Sequence, residues 1–271
     1  MRTLADRLGF GSAAPAVLKL AKHTTLRLGP LVARVQSAGD RDAARTTMAR
    51  EVAIAQHLAR LSAPAVRASV NPPPGPHEVD GCLISLWPYV EHRPAVEADT
   101  AGAGAALQRL HAALASCEAA LPAFTEAVAG CAALAEDAAA MAAAAPDDRA
   151  FLAELVKTGL ASLPADDTRR IALHGDAHLG NVMMTAAGPI WADLEAVCRG
   201  PLEWDLTDKP APFVAAFDGV DKALLGQLSA LRSACSAVWC WADATRSAEI
   251  RAAAAYHTAR LRREAAASRF A

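Results

Sequence analysis

Residues 173–182 read LHGDAHLGNV, two histidines, an aspartate and an asparagine enclosed by apolar residues. A metal cage, a catalytic loop or a polar turn would each bring such residues together. The flanking sequence is informative. IAL, NVMM and PIWADL are short β-prone runs, and the turn TAAG separates the last two. Asp176 precedes Asn181 by five residues, and Asp193 follows twelve later at the end of PIWA. A hairpin would gather these three oxygen-bearing side chains.

Composition bounds the rest. A chain of 271 residues can bury one large core or two smaller ones, so two lobes are reasonable. A hydrophobic content of 53%, 21% charged residues and a net charge of -2 describe a soluble globular protein. There is no overall basic field to recruit nucleic acid or acidic membranes, so neither is an expected partner. MRTLADRLGF interrupts its apolar residues with Asp6 and Arg7, and no apolar run is long enough to span a bilayer. The expected location is the cytoplasm. Cys82, Cys117, Cys131, Cys198, Cys235 and Cys240 include no CxxC pair, which fits reduced, mostly buried thiols.

The first third reads as a small α/β unit. In AVLKLAKHTTLRLGPLVARVQ (16–36), Gly29-Pro30 marks a turn between LRL and LVARV, predicting adjacent antiparallel strands. From Asp40, a suitable N-cap, Met48, Val52, Ala55 and Leu58 recur at helical spacing as far as Leu61. VRASV and CLISLWPYV read as strands, with NPPPGPHEVDG as a proline-stiffened turn between them. From Glu91 the character is helical: AGAGAALQRLHAAL, the alanine-rich stretch from Cys117 to Leu163 divided by prolines, and the chain beyond Pro210.

Phosphoryl transfer needs a carboxylate to take the proton of an attacking hydroxyl and hard oxygen ligands to hold magnesium on nucleotide phosphates. His174-Gly175-Asp176 with Asn181 has the spacing of a kinase catalytic loop, and Asp193 stands where a metal-binding aspartate follows the next strand.

HGDAHLGN resembles the HGDxHxxN signature of the aminoglycoside phosphotransferase and choline kinase family, and WADLEAVCRGPLEWDL resembles its IDFE…GPxxxDL continuation. LVARV, AREVAIAQHL, LISLWPYVE and LQRLHAAL resemble, in the family's order, its nucleotide-contacting strand, facing helix, inter-lobe hinge and LxxLH helix. The resemblance implies an α+β, protein-kinase-like two-lobed fold. Residues 1–88 would form a nucleotide-binding lobe of sheet and helix, and 89–271 a larger, mainly helical catalytic and acceptor-binding lobe. The implied activity is transfer of the γ-phosphate of ATP or GTP, with Mg2+, to a hydroxyl of a small polar molecule. Aminoglycoside-like antibiotics lead the acceptor candidates, which would make the protein one of antibiotic resistance.

Residue by residue, the resemblance makes Asp176 the catalytic base and Asn181 and Asp193 the magnesium ligands. His174 and His178 support the loop, and Asp205 of EWDL ties the C-terminal part to it. Arg34 occupies the position of the usual phosphate-contacting lysine, with Glu51 as its helix partner; an ordinary strand-to-helix ion pair is the alternative reading. Glu195 either helps the metal site or forms a structural salt bridge. Trp87 to Val90, including Tyr89, form the hinge that presents backbone groups to an adenine ring, although Pro88 has no N–H to give. For a cationic acceptor, Glu203, Asp208, Asp218, Asp221 and Asp243 are the available carboxylates.

The chain departs from the family in two places: the arginine at position 34, and the absence of GxGxxG and GxxxxGK[ST]. GFGS at 9–12 reads as a turn, and the phosphate-facing hairpin is placed at Ala21 to Thr25, with Lys22, Thr24 and Thr25 as donors. Three rivals stand beside the kinase reading. They are a metal-dependent hydrolase using His174, Asp176 and His178 as an HxDxH ligand set, a catalytically silent nucleotide-binding protein, and a plain polar turn in a helical protein.

Overall fold

The computed structural model describes residues 15–20, 23–36, 40–164 and 170–268. GFGS, and Ala21 and Lys22 of the stretch expected to face the phosphates, lie outside the described residues. The runs over 16–36 form β1 (Ala16–Leu20), β2 (Thr24–Leu28) and β3 (Leu31–Gln36), antiparallel neighbours. Gly29, at φ 58°, supplies the left-handed residue of the turn into β3. Helix α1 (Arg41–Arg60) starts where expected. The Asp40 side chain accepts from the N–H groups of Asp42 and Ala43 at 2.9 and 3.1 Å. Its buried face carries Met48, Val52, Ala55 and Leu58, and also Glu51.

Two expectations for the next stretch give way to hydrogen bonding. Residues 77–79, read as part of a turn, form β4 (His77–Val79), joined to β5 (Cys82–Pro88) by Asp80-Gly81. Both turn residues have positive φ, 50° and 77°, as a tight hairpin requires. VRASV, read as a strand, is not one. Its Val66 N–H goes to Trp191 and its Ser69 N–H to Leu86, so no single partner runs alongside it.

The remaining elements are β6 (Arg93–Pro94), α2 (Thr100–Leu114), α3 (Phe124–Glu136), α4 (Pro146–Ala161), β7 (Arg170–Leu173), β8 (Val182–Thr185), β9 (Gly188–Trp191) and β10 (Cys198–Pro201). Four helices follow: α5 (Glu203–Leu206), α6 (Ala211–Val214), α7 (Lys222–Ala242) and α8 (Ala248–Ser268). None of the helices among the described residues is long and apolar enough to cross a membrane.

The chain divides into two units. One holds the described residues as far as Leu121, with Asp176–Val197 and Pro210–Phe217; the other holds Pro122–Gly175, Cys198–Lys209 and the chain from Asp218 onward. In the first unit an antiparallel sheet runs β1-β2-β3-β5-β4, and a second runs β6-β8-β9. Alternation along β3 sorts the faces of the larger sheet. Leu31, Ala33 and Val35 are buried, and Ala33 and Val35 belong to an apolar cluster with Leu26, Leu28, Ile84 and Leu86. Val32 and Arg34 point the other way, beside their cross-strand partners Trp87 and Ser85, on the face of Leu83 that meets Ala44 and Met48 of α1. In the second unit β7 pairs antiparallel with β10, and α3, α4 and α7 enclose an apolar cluster that includes Val128, Leu152, Leu228 and Val238.

Candidate active site

The β8–β9 hairpin assembles one end of the site. Val182 stands opposite Trp191, and the Ala192 N–H donates to the Asn181 carbonyl at 2.8 Å, so Asn181 and Asp193 lie side by side at the hairpin's open end. The strand read as continuing through Leu194 stops at Trp191. Asp193 adopts φ 62° and ψ 64°, a left-handed conformation that aspartate tolerates better than most residues. Asn181 is buried, and its Nδ2 donates to the main-chain carbonyl and the carboxylate of Asp176 at 3.0 and 3.3 Å. His178 Nε2 lies 3.4 Å from the same carboxylate oxygen, with both side chains about half exposed. A Cβ at Gly180 would sit 2.8 Å from the His178 ring, so glycine is what leaves the ring that position.

Arg34 meets this end from β3. Its Nη1 donates to Glu51 of α1 at 2.6 Å, and its Nη2 donates to Asp193 at 3.0 Å and Glu195 at 2.6 Å. Glu195 also contacts His23 Nε2 at 2.9 Å. One guanidinium thus faces three carboxylates. Burial opposes the charge on Arg34, but Glu51, Asp193 and Glu195 outweigh it and raise its pKa. Glu51, the most buried of the three acids, is pushed up to about 7 by desolvation, with Asp193 and Glu195 adding to the rise and Arg34 opposing it. The two directions agree: a cluster with excess negative charge holds its cation firmly and favours a proton on its least hydrated acid.

A cavity of about 280 Å3 opens beside this network. Val32, Val66 and Trp87 give it apolar walls, while Arg34 and Asp193 make one end polar. Pro88, Tyr89 and Val90 also line it. The Arg27 guanidinium lies over the Tyr89 ring, 3.8 Å from its centre. The cavity has the size and the split polarity of a small-molecule site.

In the second unit, the residues before Asp176 are anchored through their peptide groups. Asp205 accepts from the His174 N–H at 2.7 Å and the Gly175 N–H at 2.9 Å. The Gly175 carbonyl accepts from Trp204 Nε1 at 3.2 Å and Arg232 Nη2 at 2.9 Å, and the Arg232 guanidinium covers the Trp204 ring at 4.5 Å. Gly175 has φ 82°, which a side chain would strain. His174 and Asp205 are fully buried.

Asp176, His178, Asn181, Asp193, Arg34, Glu51, Trp87 and Tyr89 therefore lie in one unit, and His174 and Asp205 share the other. Sequence reasoning did not find His23, Trp204 or Arg232. His23 is 172 residues from Glu195 and Arg232 57 from Gly175, and neither sits in a motif. Among the described residues no three His, Cys, Asp or Glu side chains converge as a metal site, so the HxDxH set does not assemble. Asn181 and Asp193 offer a different donor set. Nδ2 of Asn181 is engaged, which turns its carbonyl oxygen elsewhere, and Arg34 takes only Oδ1 of Asp193. Two hard oxygens fit a magnesium ion that completes its shell with phosphates and water.

The structure is similar to an amicoumacin kinase in complex with AMP-PNP and Ca2+, at a TM-score of 0.71 and 13% identity over 92% of this chain and 88% of that one. It is similar to a choline kinase from Streptococcus pneumoniae, at 0.68 and 14% identity over 98% of both chains. A spectinomycin phosphotransferase in complex with ADP and spectinomycin matches at 0.61 and 13% identity, over 89% of this chain and 87% of that one. These likenesses establish the fold as protein-kinase-like, with an N-terminal antiparallel sheet and a mainly helical C-terminal part. No curated protein matches the sequence. The model of the phosphotransferase enzyme family matches residues 20–266, nearly the whole chain, and the protein belongs to that family.

Proposed function

We propose that the protein transfers the γ-phosphate of ATP or GTP to a hydroxyl of a small polar molecule, with Asp176 as the base. The observation that carries this reading is the hydrogen bond of Arg34 to Asp193 in the wall of the cavity, with Asn181 beside Asp193 at the open end of the β8–β9 hairpin and hydrogen-bonded to Asp176. Asp176 takes the acceptor's proton as its oxygen bonds to the γ-phosphorus, the bond to the bridging oxygen breaks, and the nucleoside diphosphate leaves. Arg34 contacts the α- and β-phosphates, with Glu51 fixing its direction. Asn181 and Asp193 would hold Mg2+, which supplies charge neutralisation on the phosphate oxygens. The base and nucleotide divide as residues 1–88 for nucleotide binding and 89–271 for catalysis and acceptor binding, and the protein acts in the cytoplasm.

Aminoglycoside-like antibiotics are the first acceptors to test. Four of the carboxylates considered for a cationic acceptor already serve local partners. Glu203 accepts the Asp221 N–H, Asp221 caps α7, Asp208 pairs with Arg260 and Asp243 pairs with Arg246. Neutral hydroxyl acceptors therefore belong in the same panel. Purified protein is mixed with ATP or GTP, Mg2+ and hydroxylated antibiotics and metabolites, following nucleoside diphosphate release and the mass of the product. A product heavier by one phosphoryl group supports the reading. No acceptor-dependent turnover across the panel counts against it.

A further inference from the structure

Three side chains of the same unit hold the turn that carries Asp193. Asp193 sits at φ 62° and ψ 64°, a backbone state that a non-glycine residue keeps only where its surroundings fix it. Arg34 of β3 donates to the Asp193 and Glu195 carboxylates, and Arg50 of α1 places Nη2 3.4 Å from the Glu195 carbonyl. His23, which immediately precedes β2, adds a further hold through Nε2, 2.9 Å from Glu195 Oε2. A carboxylate only accepts, so the ring nitrogen donates. This contact, and not burial, accounts for a histidine at position 23. The ring is buried, and its Nδ1 has no hydrogen-bond partner among the described residues. An apolar side chain would fill that space without burying an unpaired nitrogen. The β1–β2 hairpin that carries His23 also gives Leu18, Lys19 and Thr25 to the wall of the cavity that Arg34 and Asp193 line.

We propose that His23 is a positioning residue that couples metal binding to nucleotide binding: through Glu195 it holds the Asp193 turn and joins the β1–β2 hairpin to it. The inference rests on the phosphotransfer reading above. On that reading the nucleotide phosphates draw the Arg34 guanidinium, which in the free protein also serves Asp193 and Glu195. A hold on the turn that came from Arg34 alone would weaken as the nucleotide enters. His23 grips the same Glu195 oxygen from the hairpin, so the turn keeps a tie when the guanidinium is shared with phosphate. Asp193 then meets a divalent cation with its direction already fixed, and less ordering remains to be done when the cation binds. Because the hairpin and the turn are joined, fixing one of them favours the other, which is a coupling between the two ligands.

Titration calorimetry of the full chain with ADP, in Mg2+ and in EDTA, tests this. Mg2+ should tighten ADP binding to the natural protein, and His23→Ala should cut that enhancement by about fivefold or more, the lower end of typical coupling between sites. His23→Gln, whose amide nitrogen can donate in place of Nε2, should recover part of it. His23→Asn has a polar but shorter side chain and should behave like the alanine variant, so it carries the comparison where His23→Ala fails to fold. An enhancement that is equal in the natural protein and the folded variants overturns the inference and leaves phosphotransfer standing. So does a loss of ADP affinity that is the same with and without Mg2+, the mark of general support for the fold. A glutamine variant no better than alanine places the effect on ring packing and also overturns it, as does natural protein whose ADP affinity Mg2+ leaves unchanged. Natural protein that binds ADP in neither condition overturns the phosphotransfer reading as well.

Discussion

Asn181 donates one side-chain nitrogen to both the main-chain carbonyl and the carboxylate of Asp176, at 3.0 and 3.3 Å. The amide and the nearby His178 ring both address Oδ2, so the carboxylate is oriented from one side before any acceptor arrives. If Asp176 is the base, Asp176→Ala lowers turnover by about a hundred- to ten-thousand-fold, the usual contribution of a general base. ADP affinity, measured by calorimetry, changes little, because nothing in the cavity wall is removed. Turnover at the natural rate would exclude Asp176 from proton transfer.

Arg232 holds the peptide that precedes Asp176. It donates to the Gly175 carbonyl at 2.9 Å and covers Trp204, whose indole N–H meets the same carbonyl. Arg232→Met keeps much of the side-chain packing and removes the charged donor. We expect kcat to fall by about tenfold or more, the equivalent of one charge-assisted hydrogen bond, with the KM for nucleotide nearly unchanged. A rise in KM without a fall in kcat would show that Arg232 serves binding and not the placement of Asp176. Arg232→Lys should recover part of kcat.

Local chemistry explains which parts of this protein were legible in its sequence. The β8–β9 hairpin was readable because NVMM and PIWA flank a turn, and α1 because Asp40 precedes a periodic apolar face. CRGP carries neither alternation nor β-branched residues, yet it forms β10 because β7 offers it a ladder. HEV was hidden by the prolines before it, although Asp80-Gly81 is a hairpin signal in its own right. The pairing of Arg34 with Glu51 was implied by the family resemblance, with the place of Glu51 on the α1 face of Ala55 and Leu58 in support. Its extension to Glu195 and His23 depends on the left-handed turn at Asp193 and on contacts across more than 150 residues, for which one sequence holds no local signal.

The Glu51 carboxyl gives the site a pH signature. Burial raises its pKa to about 7 in the folded protein, from an ordinary value of 4.5. The folded state therefore holds a proton that the unfolded chain releases. The resulting stabilisation is complete below pH 4.5 and is lost as pH rises through 7, at up to about 1.4 kcal/mol per pH unit within that window. Glu51→Gln has no such proton. Denaturant unfolding at several pH values, without nucleotide or Mg2+, should show natural protein losing stability relative to Glu51→Gln between pH 5 and 7.5, values spanning about that window. A difference constant over the range would mean that Glu51 titrates normally.

Replacing Arg34 separates the shape of its side chain from its charge. The planar fork reaches Glu51 through one nitrogen and Asp193 and Glu195 through the other. A lysine ammonium is a single point and cannot hold that geometry. Arg34→Lys should therefore cost about 1.5–3 kcal/mol in unfolding free energy, the range for a lost hydrogen bond to a charged group. Arg34→Met leaves Glu51 buried beside two other acids with no cation, and breaking such a pair from one side costs about 3–5 kcal/mol. The methionine variant has a way to relieve this, because protonating Glu51 removes the most costly charge. Without Arg34 to hold its proton affinity down, Glu51 is protonated in this variant at a higher pH than in the natural protein, so the deficit should shrink as pH falls toward 7 and stay level below it, where both folded proteins hold the proton; the lysine variant, which keeps the positive charge, should change less. Equal and pH-independent losses in the two variants would mean that packing, and not the shared guanidinium, is what Arg34 contributes.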